Sequence, residues 1–175
     1  MKIAVIVLAS LVALALVIAF IGWRLPVKHR AARQATYTAS PDAVYTSIAS
    51  PRDFPSWRSK VTSVEMLPPD HGLASYREHG GDGSIAYVID EAVPGHRLVT
   101  RIADRSLPFG GTWTYELTPA AGGTTLRITE NGEVYNVIFR VMSRYVFGHE
   151  ASIDTYLRDL GKRLGQDVAI AAAEE

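Results

Sequence analysis

The chain has 175 residues, of which 47% are hydrophobic and 21% charged, and its 18 basic and 18 acidic side chains give a formal net charge of zero. It contains no cysteine, which excludes disulfides, thiolate catalysis and cysteine-ligated zinc or iron–sulfur sites. The charge is unevenly divided, because residues 1–33 carry five basic and no acidic side chains, whereas residues 34–175 carry 13 basic and 18 acidic ones. An acidic domain of this kind is a poor nucleic-acid binder, so we expect no nucleic-acid partner.

The N-terminal segment contains no ionisable side chain from Ile3 to Trp23. At about 1.5 Å per helical residue, a helix of this length crosses a hydrocarbon layer of roughly 30 Å. We therefore predict a transmembrane anchor over residues 1–24. A cleavable secretory signal is the alternative, since Lys2 supplies a minimal charged n-region; the apolar run, however, exceeds the roughly 7 to 15 residues of a signal core and no small-residue cleavage site ends it.

Basic residues are more numerous after this run than before it. Only Lys2 and the terminal amine precede it, and four basic residues follow it: Arg24, Lys28, Arg30 and Arg33. The positive-inside rule therefore favours a single-pass protein with its domain on the cytoplasmic side. The charge difference is small, so the opposite orientation stays open.

The rest of the chain divides into three parts. We interpret residues 25–33 as a basic neck, residues 34–166 as one domain with one core, and residues 167–175 as a C-terminal tail. Alternating small and aromatic residues predict a first strand at 34–39. Ser-Pro-Asp at 40–42 predicts a helix that ends near Ala49, and Ser-Pro-Arg-Asp at 50–53 predicts a second short helix that ends near Trp57.

Strands and one helix are predicted for the remainder of the domain. Turns rich in Gly and Pro, among them Gly-Gly-Asp-Gly at 80–83, separate strands at 61–67, 72–79, 84–92, 97–103, 111–118 and 124–133. Connections this short favour an antiparallel meander. From about Val137 to Gly165, hydrophobic residues at spacings of three and four predict one long amphipathic helix whose stripe comprises Met142, Val146, His149, Ile153, Tyr156, Leu160 and Leu164.

Four segments carry a family resemblance: TASPDAVY at 38–45, FPSW at 54–57, GTWTYEL at 111–117 and TLRITE at 125–130. Together with the order of elements over about residues 34–165, they resemble the SRPBCC superfamily of START-related, birch-pollen-allergen-like and polyketide cyclase/dehydrase-like domains. The resemblance implies an α+β helix-grip fold, in which about seven antiparallel strands wrap one long C-terminal helix and two short helices follow the first strand. It also implies an apolar cavity between sheet and helix, which relatives use for lipids, quinones, polyketides and other hydrophobic molecules.

Strand phase indicates which side chains face that cavity. Alternation places Trp113 and Tyr115 on one strand face, and Ile128 and Glu130 on another. His149 lies on the helix stripe, so Glu130 and His149 are the candidates for an acid–base pair. The alternatives are a Glu130 that is solvated or paired with Arg101 or Arg127, and a purely structural His149. The predicted cavity residues are Trp57, Trp113, Tyr115, Ile128, Glu130, Met142, Tyr145 and His149.

Three functions are compatible with the sequence. We expect a membrane-tethered protein that binds or transfers a hydrophobic small molecule such as a lipid, isoprenoid or quinone, since these molecules concentrate in the bilayer. The alternatives are a cyclase, dehydratase or isomerase that uses Glu130 and His149, and a tethered protein-interaction module with a degenerate pocket. The five histidines show no His-x-x-x-His spacing, so no metal site and no cofactor are predicted. The sequence identifies no protein partner and favours binding over catalysis.

Overall fold

The structure is a computed structural model that describes residues 2–81 and 83–173. Met1 of the predicted anchor, Asp82 of the predicted turn at 80–83, and Glu174 and Glu175 of the predicted tail lie outside the described residues.

The predicted N-terminal helix is confirmed as α1, Lys2–Arg24. It has 23 residues and a mean hydropathy of 3.1 over its most apolar window, and no residue of that window is buried. By length and composition it is able to cross a membrane, although a signal sequence would meet the same criteria.

Eight antiparallel strands form one open sheet in the order β2-β3-β4-β5-β6-β7-β1-β8. Six of the strands form a meander, because their connections are short turns. Together with the helices, the sheet gives the α+β helix-grip architecture that the sequence predicts. The strands are β1 Lys28–Tyr37, β2 Val61–Asp70, β3 Leu73–Gly80, β4 Gly83–Val93, β5 Arg97–Ile102, β6 Phe109–Ala120, β7 Gly123–Val134 and β8 Ile170–Ala172.

The two ends of the domain differ from the prediction. Strand β1 begins at Lys28, so most of the expected neck at 25–33 belongs to the sheet and pairs with β7. Part of the expected tail forms β8, which pairs with β1 and brings the strand count to eight. Both segments gain hydrogen bonds from a strand edge that would otherwise be unpaired.

The two short helices after β1 are confirmed. Helix α2 spans Pro41–Ile48, and the Ser40 side chain caps it by accepting a hydrogen bond of 3.3 Å from the Ala43 amide. A 3₁₀ helix follows at Pro51–Ser56. These two helices close one side of the core and contribute three buried side chains to it, those of Val44, Ile48 and Phe54.

The predicted C-terminal helix is interrupted. It consists of α3, Val137–Met142, a π-helical turn, Ser143–Phe147, and α4, Ala151–Arg163. Gly148 separates the last two pieces with φ 72° and ψ 152°, a backbone conformation that only glycine adopts readily. The hydrophobic stripe is therefore buried in α4, whereas Met142 and Val146 are exposed on the preceding segment.

The core lies between the sheet and α4. Ile153, Leu157 and Leu160 of α4 are fully buried against residues such as Leu126 and Ile128 of β7. Two polar contacts fix the helix on the sheet. The Tyr37 hydroxyl donates to the Leu157 carbonyl at 2.9 Å, and Arg33 Nε donates to Asp154 Oδ1 at 2.8 Å.

Helix α1 is in close contact with α3. Gly22 is the buried residue of α1, and a Cβ at this position would lie 1.9 Å from the Val137 carbonyl oxygen. Any larger side chain would therefore push the two helices apart.

Arg140 on α3 strengthens this junction through four hydrogen bonds to backbone carbonyls. Its Nη1 donates to Gly22 at 3.1 Å and to Leu25 at 3.2 Å. Its Nε donates to Val134 at 2.8 Å, and its Nη2 to Tyr135 at 3.0 Å. One cation thus caps the C-terminal end of α1, where the helix dipole is negative, and fixes that end to the domain.

We predict that replacing Arg140 with alanine detaches α1 from α3. The lost charge-assisted hydrogen bonds should weaken the docked state by about 2 to 4 kcal/mol. In detergent micelles, tryptic cleavage after Arg24 and Lys28 should accelerate by at least about tenfold. Arg30→Ala is the control, because it also removes one positive charge near the end of α1, but from an exposed side chain. Equal cleavage rates in the two variants would contradict this role of Arg140.

Candidate functional site

The concave face of the sheet carries the predicted site residues of β6 and β7. Trp113 lies opposite Glu130, and Tyr115 lies opposite Ile128. Tyr115 and Ile128 are buried, whereas Trp113 and Glu130 are half-buried. Along this face, the environment therefore changes from a closed core at Ile128 to a partly accessible region at Glu130.

An ion pair lies within the core at the opposite half of the sheet. Arg58, just after the 3₁₀ helix, donates to Glu78 of β3, and their side chains are only 18% and 10% exposed. The Arg58 guanidinium lies 4.9 Å from the centre of the Phe54 ring and 5.0 Å from that of Tyr156. Cation–π contacts and the carboxylate together compensate for the loss of water around the charge.

Aromatic rings surround this pair. Tyr156 of α4 packs against Trp57 at 5.2 Å, Tyr115 at 5.6 Å and Trp113 at 5.9 Å between ring centres. Trp57 also contacts Phe54 edge-on at 5.7 Å. We call Phe54, Trp57, Tyr76, Trp113, Tyr115 and Tyr156, with Arg58 and Glu78, the interior cluster.

Burial determines the protonation of this cluster. It raises the pKa of Tyr115 to about 12 and raises the pKa values of Tyr76 and Tyr156 well above 10, so these phenols stay neutral at pH 7. Burial alone would lower the pKa of Arg58, but the Glu78 carboxylate and the neighbouring tyrosines outweigh it, and the net shift is upward.

Two buried donors of the interior cluster have no hydrogen-bond partner among the described residues. They are the Tyr156 hydroxyl and Trp57 Nε1. An interaction with the Tyr156 hydroxyl opposes the rise in the Tyr115 pKa. Unpaired buried donors are costly, so both are suited to bind a polar atom of a ligand.

Glu130 and His149 are brought near each other, with His29 between them. His29 Nε2 lies 3.4 Å from Glu130 Oε1, and the His29 and His149 rings stack with 3.7 Å between their centres. Ser143 Oγ lies 3.1 Å from His149 Nδ1. Glu130 Oε2 is buried and has no partner among the described residues. This arrangement, the mouth cluster of Glu130, His29 and His149, can hold and pass a proton.

His29 was missed in the sequence because it was assigned to the neck. The signal was present, since His29, Ala31, Arg33, Ala35 and Tyr37 alternate along β1, and Tyr37 and Arg33 contact α4. Glu78 was also missed, although it lies within the strand predicted at 72–79 and shares a strand face with Tyr76, two residues earlier.

The remaining predicted residues lie apart from the interior. Met142 and Tyr145 are 36% and 66% exposed on the segment before Gly148. Trp57, by contrast, lies in the interior cluster. Tyr145 lines a small pocket near the end of α1.

Two concave sites lie where β1 begins, and His29 lines both. A groove of about 760 Å³ is bordered by the ends of β1, β5, β6 and β7 and includes Ile102, Gly111 and Gly132. A pocket of about 230 Å³ lies between Leu25, Pro26, His29 and His149. Over residues 2–81 and 83–173, no group of three or more His, Asp or Glu side chains is arranged to hold a metal ion.

The comparisons agree with this architecture. The chain belongs to the polyketide cyclase / dehydrase and lipid transport family, whose model matches residues 28–164. A search of curated proteins finds no match.

Solved structures share the fold at low sequence identity. The Zhui aromatase/cyclase from a Streptomyces species is 12% identical over 79% of this chain and 94% of that chain, with a TM-score of 0.65. A START superfamily protein from Mycobacterium smegmatis is 12% identical over 78% of this chain and 97% of its own, with a TM-score of 0.63. The di-domain aromatase/cyclase StfQ of the steffimycin pathway is 17% identical with a TM-score of 0.61, and the match covers 79% of this chain but only 52% of that longer protein.

We predict that breaking the Arg58–Glu78 pair is strongly destabilising. Glu78→Gln leaves Arg58 without its counter-ion and should lower the free energy of unfolding by about 3 to 5 kcal/mol. The double variant Arg58→Met, Glu78→Leu should be less destabilised, because no buried charge remains. Denaturant unfolding in micelles measures both.

The exposed pair Arg101–Asp90 provides the control for the buried pair. Arg101 Nε donates to Asp90 Oδ2 at 2.8 Å near the surface. Asp90→Asn should change the free energy of unfolding by only about 0 to 1 kcal/mol. Equal losses in Glu78→Gln and Asp90→Asn would show that the buried pair has no special role.

We predict that protonation of His149 destabilises the fold. Burial and the adjacent His29 lower its pKa below 6.5, with a smaller lowering from Arg144, while Glu130 opposes the shift. Below pH 6.5, the unfolded chain therefore takes up the proton more readily than the folded one, and stability falls as the pH decreases toward the lowered pKa. His149→Asn should reduce the change in the thermal transition temperature between about pH 7 and 5. His96→Asn, at an exposed position, should leave this pH dependence unchanged. Identical pH profiles for the wild type and both variants would refute the prediction.

Proposed function

We propose that this protein binds a hydrophobic small molecule taken from the membrane in which α1 is anchored, with a lipid, isoprenoid or quinone as the ligand class. One observation carries the proposal: the accessible end of the helix-grip interior lies beside the C-terminal end of α1. Leu25 and Pro26, which follow α1, line the same pocket as His29 and His149 of the mouth cluster. A molecule that leaves the bilayer along α1 would reach the domain at this pocket.

The junction between α1 and α3 supports a retained anchor. Arg140 bonds to Gly22 and Leu25, and Gly22 fits closely against Val137. Removal of α1 as a signal sequence would deprive Arg140 of hydrogen-bond acceptors and would expose the apolar surface of α3. Tethering is useful for such ligands, since each buried CH₂ group favours the bilayer by about 0.8 kcal/mol and free diffusion through water is correspondingly rare. The basic residues after α1 favour a cytoplasmic domain.

The interior offers a site for one polar group on an otherwise hydrophobic ligand. Trp113 and Tyr115 supply aromatic surface on β6, while the unpaired donors of Trp57 and Tyr156 lie in the same cluster. A quinone carbonyl or an ester oxygen could accept from these donors. The ligand would displace aromatic side chains that otherwise pack on one another, which is feasible at the half-buried Trp113 and Trp57.

A second candidate is an enzyme of the cyclase, dehydratase or isomerase kind. The mouth cluster favours it, because Glu130 is within 3.4 Å of His29 and His29 stacks on His149. Glu130 would act as the base, and the paired histidines would return the proton. This mechanism requires substrate contact with Glu130 Oε2, which has no partner among the described residues.

Ligand extraction from the full-length protein tests the proposal. Protein purified from membranes in mild detergent is extracted, and the released molecules are quantified by mass spectrometry. We expect about one hydrophobic molecule per chain, and at least about fivefold less in Trp113→Leu, because the aromatic contact worth about 1 kcal/mol is lost. Trp23→Leu is the matched control, since Trp23 is exposed at the end of α1.

A conservative variant keeps this test decisive if Trp113→Leu unfolds. Glu130→Gln preserves the size of the side chain and should retain the ligand if binding alone is the function. Conversion of the added molecule by the wild type, lost in Glu130→Gln, would favour the enzyme. The proposal fails if the folded wild type carries no more hydrophobic molecule than empty micelles and takes up none when a lipid, an isoprenoid and a quinone are supplied.

A further inference from the structure

We propose that the pocket of about 230 Å³ beside the end of α1 binds the phosphate of an anionic phospholipid headgroup. Five of the side chains that line it are basic or protonatable: Lys28, His29, Arg140, Arg144 and His149. Among residues 2–81 and 83–173, no carboxylate lines this pocket. The larger groove differs, because Asp104 and Glu133 lie among its basic residues.

Two of these cations are available for a ligand. The Arg144 side chain is exposed and makes no hydrogen bond or ion pair with another described residue. Lys28 is 82% exposed and has only a 3.8 Å contact with Glu133. Arg140 is held by backbone carbonyls, so it contributes charge rather than a free donor. Lys28 and Arg144 are therefore the pair that would hold the phosphate oxygens.

The position of the pocket identifies the source of the phosphate. Leu25 and Pro26, the first residues after α1, form part of its wall. In a helix that spans the bilayer from Lys2 to Arg24, these residues lie at headgroup depth. A lipid phosphate is thus present at this level without diffusing from solution.

The adjacent surface suits the acyl chains of such a lipid. Ile138, Met142, Tyr145 and Val146 are exposed, and their spacing places them on one face of the α3–π segment. Val137 and Val141 contact Gly22 of α1. Ile138 and Met142 follow these two valines by one position, so the exposed face lies beside the helix junction. A soluble phosphate would make no use of it, whereas a phospholipid would cover it.

This inference rests on the membrane-anchored part of the proposed function, but not on a ligand in the interior. The headgroup pocket and the interior cluster share no residue, so each can be altered without the other. Loss of headgroup selectivity with normal extraction of the interior ligand would overturn the inference alone. An empty interior with intact headgroup selectivity would overturn the interior ligand alone.

Native mass spectrometry of the full chain in micelles tests the pocket. Dioleoylphosphatidylglycerol and dioleoylphosphatidylcholine are added in turn, and the bound fraction is measured at each concentration. We expect the wild type to bind the anionic lipid more tightly. The double variant Lys28→Ala, Arg144→Ala should bind it about 20-fold more weakly, because each basic residue near an anionic lipid contributes roughly a fivefold gain in affinity. Its affinity for phosphatidylcholine should fall less, because the choline cation offsets the phosphate charge that the two basic residues attract.

Lys60→Ala, Lys162→Ala is the matched control. It also removes two exposed cations, and Lys60 lies at the start of β2, on the opposite edge of the sheet from β1 and β7. Equal affinity of the two double variants for phosphatidylglycerol would overturn the proposal, as would a wild type that does not distinguish the two lipids. Displacement of the lipid by an equal concentration of ammonium phosphate, at constant ionic strength, would assign the pocket to a soluble phosphate and would overturn the proposal of a lipid headgroup.

Discussion

The hydrogen bonds between Arg140 and the end of α1 fix the position of the domain relative to α1. Four backbone carbonyls accept hydrogen bonds from this one guanidinium, and two of them, those of Gly22 and Leu25, belong to α1 or directly follow it. A helix that crosses a bilayer and ends in a free linker would leave the domain to tumble. Here the helix end is fixed against α3, so the accessible end of the helix grip has a defined position relative to α1.

The interior has a second constraint, because it contains charge. Arg58 and Glu78 are held among aromatic rings, and a buried ion pair is weak as a source of stability. Its effect on this fold is to fix the orientations of Phe54 and Tyr156, which stack on the guanidinium from two elements. The unpaired donor of Tyr156 lies next to this fixed charge, so a ligand would meet one oriented polar atom in largely aromatic surroundings.

Much of the fold follows from local sequence patterns, and the site follows only in part. Alternation was sufficient to place Trp113 with Tyr115 on one strand face and Ile128 with Glu130 on another, because strand phase is a local property. The register that sets Trp113 opposite Glu130 comes from the pairing of β6 with β7 and was not predicted. The role of His29 was hidden because outward-pointing basic residues of β1 resemble a solvated neck. The interruption at Gly148 was hidden because the three-and-four spacing continues across it. The Arg58–Glu78 pair could not be predicted, since it joins residues from different elements through tertiary packing alone.

We propose that a molecule from the bilayer reaches the interior of the domain. Photocrosslinking in intact membranes measures this most directly: cells take up a hydrophobic probe with a diazirine in its chain, and the labelled peptides of the purified protein are mapped after irradiation. We expect adducts on α1 and, in addition, on peptides that contain Trp113 or Tyr156, and we expect an excess of unlabelled lipid, isoprenoid or quinone to suppress the interior adducts. Adducts confined to α1 and to the exposed face of the α3–π segment would contradict this proposal.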